Sequence, residues 1–135
     1  MLLNLGGTGL GFFGNFLKID FMDKTVEINW TADLTFKRLR EYNVKRCNEY
    51  IRLLDSWEPM IWGGCCAGEL GEFLNLAKKI KRGDIGITKE DLAKELADTL
   101  VYLDLTAASL GIDLGQAVID KFNEVSDRWN SPIKL

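Results

Sequence analysis

The chain has 135 residues, 47% of them hydrophobic and 27% charged, with a formal net charge of -3. That is the composition of one soluble globular domain, and a pI near 5.0 argues against a general nucleic-acid-binding surface, so no nucleic acid polymer is expected as a partner. No histidine occurs, which removes Ser-His catalysis, ExxH di-iron sites and most zinc sites; carboxylate oxygens must then hold any metal, which favours Mg2+ or Mn2+.

Residues 1–22, "MLLNLGGTGLGFFGNFLKIDFM", are apolar and glycine-rich. They lack a basic leader region and a small-residue cleavage site, so neither a signal peptide nor a membrane span is expected. Met22 offers a second start. "GLGFFG" matches GxGxxG from Gly9 to Gly14, but without the strand-to-helix setting that dinucleotide binding needs. "FLKIDF" and "TVEINW" both alternate, which allows a short hairpin around Asp23 and Lys24. Residues 1–30 thus read as an irregular or hairpin extension, and 31–135 as a helical domain.

From Thr31 the period becomes helical. Thr31, Asp33 and Thr35 offer an N-cap for helix one, with Phe36, Leu39, Cys47, Tyr50, Ile51 and Leu54 on its apolar side. "DSWEP" breaks it, and Pro59 suits the first turn of helix two, which ends at Gly83 after the basic run "KKIKR". "TKED" at Thr88 to Asp91 is a capping box for helix three, which runs to Gly111. "DLGQ" at Asp113 caps helix four, whose core side carries Leu114, Val118, Phe122 and Val125. The short "GDIGI" loop makes helices two and three antiparallel neighbours. Cys47, Cys65 and Cys66 are odd in number and two are adjacent, which fits a reducing, cytoplasmic compartment rather than a disulfide framework.

The acids carry the chemistry. On helix two, Trp62, Cys65, Glu69, Phe73, Leu76 and Ile80 share a face, with Glu72 close beside it. Glu95 and Asp98 repeat the spacing on helix three, in a stripe with Asp91, Tyr102 and Thr106. Counted from the turn, Glu72 and Asp98 stand at the same height, with Glu69 and Glu95 extending the patch. Carboxylates so placed repel, and a divalent cation relieves the repulsion. Gly63, Gly64, Gly68 and Gly71 serve either close helix packing or room for a ligand. Asp104 lies opposite Glu95 in the apolar arc, so it is expected to pair with a cation, for which Arg38, Arg40, Arg46 and Arg52 are candidates, or to be capped by backbone donors, in a helix–helix interface that includes a second subunit.

"GELGE" followed by "ELAD", together with "NLAKKIKRGD", "LGIDLGQAV" and "KFNEVSDR", resembles the ExxE…ExxD signature of the MazG-like, all-α nucleoside triphosphate pyrophosphohydrolases. The resemblance runs from about Leu34 to Trp129. It implies a four-helix bundle that forms a homodimer or a dimer of dimers, and Mg2+-dependent hydrolysis of a nucleoside triphosphate, a deoxynucleotide or a non-standard nucleotide, to the monophosphate and pyrophosphate. By position, Glu69, Glu72, Glu95 and Asp98 match the family's metal ligands, and Tyr102 matches a position near the nucleotide. Lys121, Asn123 and Arg128 fall where members place polar groups toward the ligand. An additional acid frequent before the first glutamate pair is Gly68 here, which leaves the number of metal ions open. Within that chemistry Glu72, or Glu69, takes the proton of the attacking water. Lys79 either reaches the phosphates or is a solvated lysine at a helix end. Trp57 and Trp62 either stack on the base or pack in the core. A dimeric all-α dUTPase and a non-catalytic helical dimer are the competing readings.

Overall fold

The structure, a computed structural model, describes residues 10–13, 16–21, 24–29 and 32–135. The chain divides into two compact units, Met1–Leu34 and Thr35–Leu135. In the first, β1 (Leu10–Phe13), β2 (Phe16–Phe21) and β3 (Lys24–Asn29) form an antiparallel sheet in that order. Leu10 pairs with Ile19 and Phe13 with Phe16; Phe16 in turn pairs with Asn29, and Phe21 with Lys24. The centre of "GLGFFG" is strand β1 itself rather than a loop between strand and helix. Gly9, Gly14, Met22, Asp23 and Thr31 lie outside the described residues.

The second unit is all-α: α1 (Phe36–Arg46), α2 (Pro59–Arg82), α3 (Lys89–Ser109) and α4 (Leu114–Arg128). Their ends follow local chemistry. Thr35 caps α1, its hydroxyl accepting from the N–H of Arg38 at 3.2 Å. Pro59 opens α2, and Gly83 closes it at φ 90°, where only glycine is unstrained. The N–H groups of Gly83 and Asp84 bond the Ile80 and Lys79 carbonyls, which completes a Schellman motif. Thr88 and Asp91 form the reciprocal capping box of α3, and Asp113 accepts from the N–H of Gln116 to start α4.

Helix one is shorter than its apolar spacing suggests. After Arg46 the ladder widens into a π turn, Cys47–Ile51, closed by the Arg52 N–H on the Cys47 carbonyl at 2.9 Å, and a 3-10 turn comes next at Leu54–Ser56. The extra residue in the π turn rotates the next stretch of chain away from the α1 face. Cys47 is fully buried, whereas Tyr50 is 81% exposed.

Cys47, Trp62 and Leu105 make the core, with Val44, Leu54, Trp57 and Tyr102 packed around them. The indole N–H of Trp62 donates to the Leu54 carbonyl at 3.1 Å, so the deepest ring leaves no orphan donor. Helix α1 is tied to α3 by Arg40 and Asp104, and α4 meets α1 where Phe36 touches Gly115. A side chain at Gly115 would come within 3.2 Å of the Phe36 Cβ, which explains the glycine. Yet the apolar stripe of α4, Val118, Phe122 and Val125, is near 40% exposed, and Leu74 on α2 and Leu96 on α3 are also exposed. Among the described residues, no helix is long and apolar enough to cross a membrane.

Candidate functional site: a carboxylate patch between α2 and α3

Two contacts set the register of the helix pair. Gly63 lies beside Thr106, where an added Cβ would stand 3.8 Å from the threonine methyl. The Cys66 thiol donates to the Thr99 carbonyl at 3.4 Å. From these contacts toward the turn, Glu69 falls level with Asp98 and Glu72 level with Glu95. Counting heights from the turn put Glu72 beside Asp98 instead. The difference is three residues, about one helical turn, along the antiparallel pair.

The electrostatics agree with this register. Burial pushes the Glu69 carboxyl above the ordinary glutamate range, and Asp98, Glu95 and Glu72 push it further, in that order. Glu69 and Glu95 are half-buried, while Glu72 and Asp98 are exposed at the rim. Glu72 therefore faces water rather than the apolar side it borders. Burial likewise pushes the Tyr102 hydroxyl up, with Cys65, Glu69 and Asp98 acting in the same sense and Arg46 opposing them. Tyr102 thus closes one end of the patch, its ring stacked at 6.4 Å on Trp62.

The donor set is all oxygen and carries excess negative charge, which suits a hard divalent cation. Among the described residues, no three Cys, Asp or Glu side chains are gathered as a coordination shell requires. Glu72 and Asp98 sit at the exposed rim, where turning a side chain costs little, and a cation would draw them inward. The donor chemistry suits such an ion, and the side-chain arrangement does not by itself provide its coordination shell.

The remaining expected contacts divide. Trp62 is fully buried and has no free face for a base. Trp57 is half-buried against Trp62 at 4.6 Å and carries the Arg52 guanidinium 3.9 Å from its centroid, so it is a packed ring under a cation. Both tryptophans hold the core together, and base stacking on Trp62 is excluded by its burial. Lys79 is exposed near the end of α2, on the side of the patch away from Tyr102. Lys121 and Arg128 both bond Glu124, at 2.7 and 2.6 Å, and Asn123 holds the backbone of Leu135. These three are engaged within α4 and the C-terminal tail, and none of their described bonds reaches the acids.

Three of the glycines of α2 are not explained by packing inside the chain. A Cβ at Gly64, Gly68 or Gly71 would meet nothing within 4 Å. The thiols of Cys47 and Cys66 are pushed up by burial, which suits small core residues and not reactive thiolates. Asn43 is a structural centre that apolar spacing alone passes over. It is 4% exposed and donates to the Val101 carbonyl at 2.8 Å and to Asp104 at 3.1 Å. Its spacing from Leu39 and Cys47, one turn each way, was the signal for its burial.

No protein-family model matches this chain, and no curated protein matches it.

Proposed function

We propose that the helical unit is a Mg2+-dependent nucleoside triphosphate pyrophosphohydrolase of the MazG-like kind. It splits the α-β phosphoanhydride of a deoxynucleotide or non-standard nucleotide. The observation that carries this reading is the patch itself: Glu69, half-buried, with its carboxyl pushed up first by burial and then by Asp98 and Glu95 on α3 and Glu72 on α2. A fold does not gather uncompensated like charges for stability, and a ligand-binding role accounts for them.

In this reading Glu69, Glu72, Glu95 and Asp98 hold Mg2+, whose charge offsets that of the phosphates. Glu72, at the exposed rim, takes a proton from water as the water oxygen bonds to the α-phosphorus. The bond from that phosphorus to the bridging oxygen breaks, and pyrophosphate leaves with the electron pair. Glu69, whose carboxyl is pushed up, is the alternative proton acceptor, and it would ligate a cation only as the carboxylate. Self-association belongs to the same reading, because the stripe on α4 and the leucines on α2 and α3 are uncovered in the single chain.

A second reading, a helical dimer without catalysis, draws on the acids' lack of convergence. Assaying pyrophosphate release over a panel of common and damaged nucleoside triphosphates, with and without Mg2+, separates the two. Release that needs Mg2+ is expected. No release from any substrate at any metal concentration would leave the non-catalytic reading standing.

A further inference from the structure

The arginines of α1 and the turn after it are mostly engaged. Arg38 lies 5.9 Å from the Tyr42 ring centroid, Arg40 binds Asp104 at 2.8 Å, and Arg52 covers Trp57. Arg46 differs. Its one described side-chain bond is long, Nη2 to Asn43 Oδ1 at 3.4 Å, and the acceptor is a neutral amide. Asn43 is itself fixed to the Val101 carbonyl and to Asp104. This pins the last turn of α1 against α3 beside Tyr102, one turn from Asp98. Arg46 is therefore an exposed cation at the Tyr102 end of the patch, without a carboxylate partner among the described residues. Among the described residues, one of its five N–H donors is bonded.

We infer that Arg46 binds the outer phosphates of the substrate's polyphosphate chain and so fixes which way that chain runs across the carboxylate patch. The inference rests on the pyrophosphohydrolase reading and adds a direction to it. With the α-phosphate over the acids, the leaving pyrophosphate needs a cation beyond them. Lys79 stands at the loop end of the patch and Arg46 at the Tyr102 end, so the chain cannot lie on both. A guanidinium binds phosphate through two parallel N–H groups, a match to the oxygens that a lysine's point charge does not offer. Recognition of this kind ignores the base, so its loss should weaken every substrate equally.

The test uses inorganic tripolyphosphate with Mg2+ as a base-free probe, titrated calorimetrically into the full-length protein. Arg46→Ala should weaken binding about tenfold, the size of one charge-assisted contact, with Arg46→Lys in between and Lys79→Ala unchanged. KM for a hydrolysed nucleotide should rise in Arg46→Ala by a similar factor, while kcat changes less. The melting temperature should match wild type, because the side chain is exposed. If wild type releases pyrophosphate but Arg46→Ala binds the probe as tightly as its parent, the inference on Arg46 falls alone. If Lys79→Ala loses binding instead, the chain runs the other way and the inference also falls. A wild type that neither binds the probe nor releases pyrophosphate overturns both this inference and the reading beneath it.

Discussion

Arg40 Nε lies 2.8 Å from Oδ1 of Asp104, a carboxylate whose side chain is 1% exposed, and this pair joins α1 to α3. Asn43 takes the other oxygen at 3.1 Å, so both oxygens of the buried acid are bonded. Arg40 also donates to the Ile112 carbonyl at 3.1 Å. One carboxylate thereby organises α1, α3 and the start of the turn into α4. Removing it leaves a half-buried guanidinium and an amide without their acceptor. Asp104→Ala should cost about 3 kcal/mol in urea unfolding, reduced somewhat because Arg40 keeps access to water. Arg40→Ala should be less costly, since Asn43 still bonds the acid. An Asp104→Ala variant as stable as its parent would show that the pair does not hold the helices.

Glu72→Gln and Asp98→Asn each remove an oxygen ligand from the exposed rim of the patch. Turnover should fall by about two orders of magnitude or more, with the circular dichroism spectrum unchanged. Activity equal to wild type in both variants would end the site assignment. Mg2+ should also raise the wild-type melting temperature, because it relieves the repulsion felt at Glu69 and binds only the folded arrangement. That rise should shrink in Glu69→Gln. No rise at saturating metal would count against a cation between these helices.

The start of α3 supplies a pH test independent of the acid patch. The backbone N–H and hydroxyl of Thr88 both donate to Asp91, at 2.9 Å each, and hold its carboxyl below the usual aspartate range, with Lys94 aiding. A folded-state pKa that is depressed stabilises above the unfolded value, and the contribution is lost as pH falls through the folded value. Asp91→Ala should therefore melt below wild type near neutrality, and the gap should narrow on acidification below the ordinary aspartate pKa. A gap that stays constant down to about pH 3 would mean the cap acts through shape and not charge.

Signals that act within one turn were legible in the sequence. Thr88 with Asp91, Asp113 with Gln116, Pro59 and Gly83 each satisfy or close a helix end through neighbours in the chain, so the residue types alone place them. The need of Asp104 for a partner was readable from its position among apolar residues, and the choice of Arg40 and Asn43 in the same chain was not. What depends on packing was not. The π turn at Cys47 differs from α-helix by one residue in a hydrogen-bond ladder, which no composition marks. The partner of Glu72 depended on the offset between α2 and α3, which the Gly83–Thr88 connection does not fix. Trp62 was ambiguous for a related reason: an indole serves a core or a base equally well until its N–H is seen on the Leu54 carbonyl.

One side of α4 is apolar and uncovered in the single chain. Val118, Phe122 and Val125 are spaced along one side of the helix and are 38%, 40% and 38% exposed. A solvated helix has no reason to keep such a stripe, and the oligomer proposed above would bury it. At a solvated site, Phe122→Glu would alter stability by no more than about 0.5 kcal/mol. At a buried interface it would place a carboxylate against apolar side chains, at a cost several times larger, and would separate the subunits. Sedimentation of the wild type at micromolar concentration should show a dimer or a tetramer. Phe122→Glu should move the protein to monomer and lower its melting temperature, while Lys121→Ala, beside it on the polar side, should leave the assembly intact. A monomeric wild type, or a Phe122→Glu protein that sediments as its parent does, would mean that α4 is not the surface through which this chain associates.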